Sequence, residues 1–139
     1  MGIQENKVVV QRFAEEVLQK HNLSVIDDII SEEYVWHGPD GQEIKGPEGF
    51  RQLATISLTG FSDGRFTIDD MVAERDTVAV RYTRTGTHDG ENHGIPPTGK
   101  QINIPVAYFY RIADGKIIEA RGYSDSLALL QQLGVGPST

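Results

Sequence analysis

The stretch that most limits what this chain can become runs from Arg65 to Ser124. It holds four strand-like runs: Arg65 to Glu74, Thr77 to His88, Gln101 to Ala113 and Lys116 to Ser124. The first two are separated only by Arg75-Asp76 and the last two only by Asp114-Gly115. A connection that short forces its strands into an antiparallel hairpin, and Gly accepts the positive φ such turns need. Within the second run Val78, Val80 and Tyr82 alternate with Ala79, Arg81 and Thr83, the period of a half-buried strand. In the third, Val106, Tyr108 and Tyr110 share a face. In the fourth, Glu119 and Arg121 share one face and Ala120, Gly122 and Ser124 the other. A meander with one apolar face must have that face covered.

The cover comes from upstream. Ile3 to Lys20 reads as an amphipathic helix, with Val9, Phe13 and Val17 at i, i+4, i+8 and Val10, Ala14 and Leu18 widening the stripe. A second short helix buries Leu23, Ile26, Ile29 and Ile30, with Ser24 as its expected N-cap. Tyr34-Val35-Trp36-His37 is a brief strand before a Gly38-Pro39-Asp40-Gly41 turn, and Pro47 opens a third helix that Gly60 stops. Leu127, Leu129, Leu130 and Leu133 form a closing helix before a small polar tail. Helices followed by a meander imply an α+β fold, a curved antiparallel sheet wrapped around the N-terminal helices. Between sheet and helices such a fold leaves a cone-shaped cavity, a natural site for a small hydrophobic ligand. The 139 residues fit one domain, 1–139, able to bury roughly two thirds of its unfolded surface.

Composition narrows the partners. A net charge of −7 argues against nucleic acid or an anionic membrane surface as partner. The absence of cysteine removes thiolate catalysis and suits a reducing compartment. With no membrane-length apolar run and no basic-then-apolar leader, a cytoplasmic protein is expected. The polar loop Thr85 to Lys100 is long for a compact domain, and Pro96-Pro97 stiffens it, so it is expected to frame and gate a pocket mouth. His88 and His93 on that loop lack a carboxylate at ligand spacing and read as solvated; no metal site is expected.

Several motifs together carry a family likeness. They are Tyr34-x-Trp36-His37-Gly38-Pro39, Lys45-Gly46-Pro47-Glu48-Gly49-Phe50, Gly94-Ile95-Pro96-Pro97-Thr98-Gly99, Asp114-Gly115-Lys116-Ile117 and Gln131-Gln132-Leu133-Gly134. In this order, from Gln4 to Gly134, the chain resembles the SnoaL-like polyketide cyclases, or ester cyclases, of the nuclear-transport-factor-2-like superfamily. The resemblance implies ring closure by an intramolecular aldol reaction, without metal or cofactor. It also implies homodimers packed through the outer sheet face, near Thr83, Arg84 and Thr85. An acid on the last strand removes a proton α to a carbonyl in that family, and its position falls at Gly122. A Gln and a His of the preceding strand fall at Val106 and Tyr108, and a polar residue of the early strand falls near Trp36.

With no acid at Gly122, other groups must carry any chemistry. His37 is a general-base candidate because histidine titrates near neutrality. Tyr108 can donate to a carbonyl or epoxide oxygen, or simply fill the core. Asp125 is the nearest acid to the lost position, or the N-cap of the closing helix. Arg81 either pairs with an acid such as Glu119 or Asp125 or holds a ligand carboxylate. Trp36, Tyr82 and Tyr123 are candidate aromatic walls, with Val106 and the space at Gly122 completing the ligand surface. The activity expected is a cofactor-independent cyclase or isomerase acting on a polyketide-like or other secondary-metabolite substrate. A non-catalytic binding protein, an epoxide-opening cyclase or hydrolase, and a dimerising stress protein are the alternatives.

Overall fold

Hairpin chemistry and strand alternation set most of the architecture. The structure is a computed structural model and describes residues 2–38 and 41–135. Helix α1 (Ile3–Phe13) continues through a wider turn to Gln19; a short turn at Leu23–Val25 leads into α2 (Ile26–Ile29). Then come β1 (Ile30–His37), β2 (Glu43–Lys45), α3 (Gly46–Gly60), β3 (Arg65–Glu74), β4 (Thr77–Thr87), β5 (Gln101–Ala113), β6 (Lys116–Ser124) and α4 (Ser126–Gln132). Pro39 and Asp40 of the expected turn, and the tail beyond Val135, lie outside the described residues.

The sheet runs β2-β1-β6-β5-β4-β3. Its β3–β6 meander is antiparallel, with Arg75 and Asp114 taking positive φ at the tight turns. The sheet as a whole is mixed, not purely antiparallel as expected, because β1 lies parallel to β6 with Trp36 opposite Ala120 and His37 opposite Arg121. No hairpin dictates the direction of β1. It is joined to β6 through α3 and the whole meander, a long connection of the kind that permits parallel pairing. β2 is short and polar and gave no strand pattern. Register shifts at Ile68/Asp70 and Arg111/Ile112 add bends of the kind that curve a sheet.

The curved inner face closes over the helices. α1 and its extension bury Val10, Phe13, Ala14 and Val17, and Phe13 meets Phe50 at 5.4 Å and Tyr110 at 5.8 Å, both edge-on. Burying each such side chain contributes roughly 1.5–3 kcal/mol, which outweighs local propensity. The helix stops where His21 turns to φ 58°. Asn22, rather than Ser24, caps the short turn at Leu23–Val25, its Oδ1 accepting from the Ser24 backbone N–H at 3.2 Å.

A second, smaller cluster of Phe61, Ile102 and Leu133 anchors the loop after β4. The His88 N–H donates to the Lys100 carbonyl and the Gly99 N–H to that of His88, both at 2.8 Å. The Asp89 and Gly90 N–H groups reach the Gly60 carbonyl at the end of α3 at 3.1 and 3.2 Å. His88 is fully buried and stacked on Phe61 at 5.2 Å, its Nδ1 facing the Thr98 N–H and hydroxyl, so it is not the solvated loop histidine expected. The first part of this loop is bonded to the end of α3, and the remainder is bonded mainly to itself.

Two carboxylates tie the same region. Asp63 accepts from the Thr87 N–H at 2.7 Å and its hydroxyl at 2.9 Å, and Asp89 accepts from the Ser62 N–H at 3.0 Å and from the Ser62 hydroxyl. Those donors hold both carboxyls below the usual aspartate range. A depressed folded-state pKa means their stabilisation is complete above the unfolded value, about 4, and is lost as pH falls through the folded value. Asp63→Asn and Asp89→Asn are therefore expected to lower stability at pH 7, with the deficit shrinking at pH 3. Urea unfolding of the three proteins at both pH values checks this.

Candidate functional site

Tyr108 stands at the centre of β5, with Val80 opposite it on β4 and Gly122 opposite it on β6. A Cβ at Gly122 would lie 2.4 Å from Tyr108 Cζ and 2.8 Å from its hydroxyl. The phenol ring therefore occupies the volume above the glycine. The position where the family resemblance places an acid is filled from the neighbouring strand, not left as open room. Trp36 is seated in a related way, since a Cβ at Gly38 would fall 2.4 Å from its six-membered ring.

These two aromatics meet. The Trp36 Nε1–H donates to the Tyr108 hydroxyl at 3.5 Å, at the long limit of a hydrogen bond. Behind them Tyr110 stacks on Tyr108 at 5.5 Å and 10°, and Tyr82 meets Tyr108 edge-on at 6.3 Å. The Tyr82 and Tyr110 hydroxyls bond each other at 2.9 Å, which leaves their polarity satisfied within the core. Burial pushes the Tyr108 phenol above its ordinary pKa, while the Trp36 hydrogen bond and the charge of Arg84 oppose that rise. Tyr108 is thus a neutral phenol at physiological pH. With its oxygen accepting from Trp36, its own O–H remains to donate.

Arg84 is the inner-wall residue that sequence reasoning misplaced. It was expected on the outer face with Thr83 and Thr85, yet it faces inward. The signal was present, because the alternation Val78, Val80, Tyr82 continues to Arg84. Its guanidinium carbon lies 4.9 Å from the Phe61 ring centroid and 5.7 Å from that of Phe66. Gly86, next on the same face, gives Phe61 its seat, since a Cβ there would be 3.3 Å from that of Phe61. No carboxylate and no hydrogen-bond acceptor meets this guanidinium among the described residues. Burial lowers its pKa, and Tyr108 partly offsets the effect. Arg84, Tyr108, Trp36, Phe66 and Gly122 all keep part of their surface accessible, whereas Tyr82 and Val106 behind them are buried.

The remaining expected site residues stand elsewhere. His37 follows Trp36 on β1 and so points to the opposite face, where its ring lies 3.3 Å from Glu119 and 3.5 Å from Glu43. Arg81 is also on the outer face, its side chain 62% exposed and 4.0 Å from Asp69 rather than beside Glu119 or Asp125. Tyr123 is 62% exposed and packs its edge against Phe109 at 6.3 Å, again outside. Strand parity explains all three, since each sits one residue from an inward neighbour. Asp125 accepts from the Ala128 N–H at 2.9 Å and caps α4. Among the expected catalytic residues, Tyr108 alone stands on the inner wall. Among the described residues no group of three or more His, Cys, Asp or Glu side chains could hold a metal ion, and no helix is long and apolar enough to cross a membrane. The inner wall therefore offers one uncommitted hydrogen-bond donor, the Tyr108 O–H backed by the Trp36 N–H, and a cation, a set suited to negative charge on oxygen.

Known proteins share this framework. The SnoaL-like polyketide cyclase family profile matches residues 8–133. The aklanonic acid methyl ester cyclase DauD of Streptomyces sp. (strain C5) is 29% identical over 125 residues, covering 85% of this chain and 77% of that protein. The nogalonic acid methyl ester cyclase of Streptomyces nogalater is 32% identical over 90 residues, covering 64% of this chain and 67% of its own. Among solved structures, a SnoaL-like protein from Jannaschia sp. CCS1 superposes with a TM-score of 0.88 at 25% identity, covering 97% of this chain and 95% of that one. IdmH of Streptomyces antibioticus gives a TM-score of 0.82 at 28% identity, over 94% of this chain and 99% of its own. The match of profile, relatives and fold across nearly the same residues makes this chain a member of the SnoaL-like polyketide cyclase family.

Proposed function

We propose that this chain closes a ring in an enolisable, polyketide-like substrate by stabilising the oxyanion that forms, without a carboxylate base of its own. The observation that carries this reading is the Tyr108 hydroxyl, its oxygen accepting from the Trp36 N–H and its proton left to donate, standing where Gly122 offers no acid. In an intramolecular aldol closure the α-carbon of one carbonyl bonds to the carbon of another. The α-proton leaves and the new alkoxide gains a proton, so the reaction is a net isomerisation without redox change. The methylene between two carbonyls is acidic enough to lose its proton to solvent once the enolate oxygen is held. The Tyr108 O–H supplies that hold, and the Trp36 N–H polarises it. Confinement adds to this, because folding a flexible chain into a near-attack geometry removes much of the entropic barrier. The relatives named as methyl ester cyclases support ring closure as the reaction class. The missing acid favours a second reading, a binding protein that keeps the wall and has lost turnover.

Two experiments divide these readings. Tyr108→Phe is expected to lower kcat on a polyketide β-dicarbonyl substrate by roughly 100-fold with little change in KM, the usual cost of losing one oxyanion donor. His37→Ala, on the outer face, is expected to leave kcat unchanged. Unaltered kcat in Tyr108→Phe overturns the assignment, and wild-type binding of an aromatic product analogue without turnover establishes the binding protein. The second experiment concerns packing. Gly122→Ala is expected to destabilise by about 1–3 kcal/mol, as overpacking does, and the penalty should vanish when Tyr108→Ala is also present. A double-mutant cycle by urea unfolding measures that coupling. By the same logic Gly122→Asp alone should displace the phenol and fail to add activity, whereas Gly122→Asp with Tyr108→His should gain it.

A further inference from the structure

We propose that Arg84 is a carboxylate-recognition residue and that the ligand of this site is an aromatic or polyketide acid in its anionic form, not its neutral ester. The inference rests on the inner wall being the ligand surface, as the ring-closing function requires, and names the class of ligand it takes.

Arg84 differs from the ion-paired arginines of the chain, and from Arg65 and Arg75, which are unpaired among the described residues and exposed. Arg51 lies beside Asp27 and Glu48, Arg81 beside Asp69, Arg111 beside Asp76 and Arg121 beside Glu119. Those pairs are at or near the surface, where water would solvate an unpaired guanidinium at little cost. Arg84 is mostly buried, with part of its surface accessible, and has no anion facing it among the described residues. A guanidinium stays charged at neutral pH, so a partly desolvated one without a counter-ion is a standing cost that a bound anion removes.

Its geometry leaves it ready for one. Phe61 and Phe66 approach the guanidinium at cation–π distance, an attraction between the cation and the ring faces. That contact does not use the in-plane N–H fork, which matches the two oxygens of a carboxylate. Phe66, which keeps part of its surface accessible, also gives an aromatic ligand apolar surface on which to lie, with Phe61 fully buried behind the guanidinium. Arg84 is four register positions from Val80, the residue opposite Tyr108, roughly 13 Å along the strand. A polycyclic ligand can bridge that distance, with its acid at Arg84 and its enolisable carbonyl at Tyr108. A methyl ester has lost the charge and the second equivalent oxygen, so it forfeits the contact.

The chain's single tryptophan, Trp36, sits beside Tyr108 and reports binding by its fluorescence. Anthraquinone-2-carboxylate and its methyl ester are the probes, titrated into the full chain at pH 7 and low salt. The wild type is expected to bind the carboxylate at least about 10-fold more tightly than the ester. Arg84→Gln should erase that ratio, Arg84→Lys should retain part of it, and Tyr108→Phe should weaken both probes while keeping it. Far-ultraviolet circular dichroism and thermal melts verify that each variant is folded. Equal affinity of the wild type for the two probes, a preference that survives Arg84→Gln, or no binding of either at millimolar concentration overturns the proposal. Because the readout is affinity, a chain that binds the carboxylate but closes no ring refutes the cyclase reading alone. A chain that turns over without the preference refutes only the role of Arg84.

Discussion

The unbroken pairing of β4 with β5, from Thr77 opposite Arg111 to Thr87 opposite Gln101, decides on which side of the sheet each group of interest stands. Along this ladder Tyr82, Arg84, Tyr108 and Tyr110 face the helices, while Arg81 and Phe109 face away. A slip of one residue would exchange the two sets, exposing the tyrosines and burying Arg81 and Phe109. Such a slip would also remove the seats that Gly86 and Gly122 provide for Phe61 and Tyr108. The register is thus held by burial on one face and by the fit of aromatic rings over glycines on the same face. The hydrogen bonds of the ladder alone would tolerate either alternative.

Much of this was legible in the sequence because it is local. Alternation gave the four meander strands, and Arg75-Asp76 and Asp114-Gly115 gave the hairpins that set their order. The parallel placement of β1 against β6 was not legible, since nothing near Trp36 says which distant strand it will meet or in which direction. Parity errors have a different origin. His37, Arg81 and Tyr123 carry attractive chemistry, and the expectation followed the chemistry where the period of two points them outward. Arg84 is the converse: its charge suggested the surface, and the alternation that put Tyr82 inside put it there as well. By its polar loop alone, His88 reads as a solvated residue. Its burial depends on Phe61 arriving from the end of α3, a contact no local pattern announces.

The chemistry of the inner wall follows from what surrounds each polar atom. The Tyr82 and Tyr110 hydroxyls satisfy each other and contribute rigidity. Tyr108 has its oxygen engaged by Trp36 and its proton uncommitted, and Arg84 has rings at its faces and no anion. These are electrophilic groups, and no carboxylate shares hydrogen bonds with them among the described residues. A site of this kind is chemically suited to negative charge that a substrate brings or develops. It is poorly equipped to remove a proton by itself.

The ring of Tyr108 lying in the space above Gly122 also constrains how such a site can change over generations. The two positions are on different strands, yet they share one volume, so neither can be altered independently. Adding an acid on β6 while the phenol remains forces two groups into the same place. Shrinking the phenol first leaves a void, costing about 3–5 kcal/mol if nothing fills it, within reach of a domain whose net stability is about 5–15 kcal/mol. Exchange between a phenol-bearing and an acid-bearing wall therefore passes through a strained or a hollow intermediate, whichever strand changes first. Chains caught at the midpoint of that exchange would carry a clash or an empty niche, and reduced stability in either case.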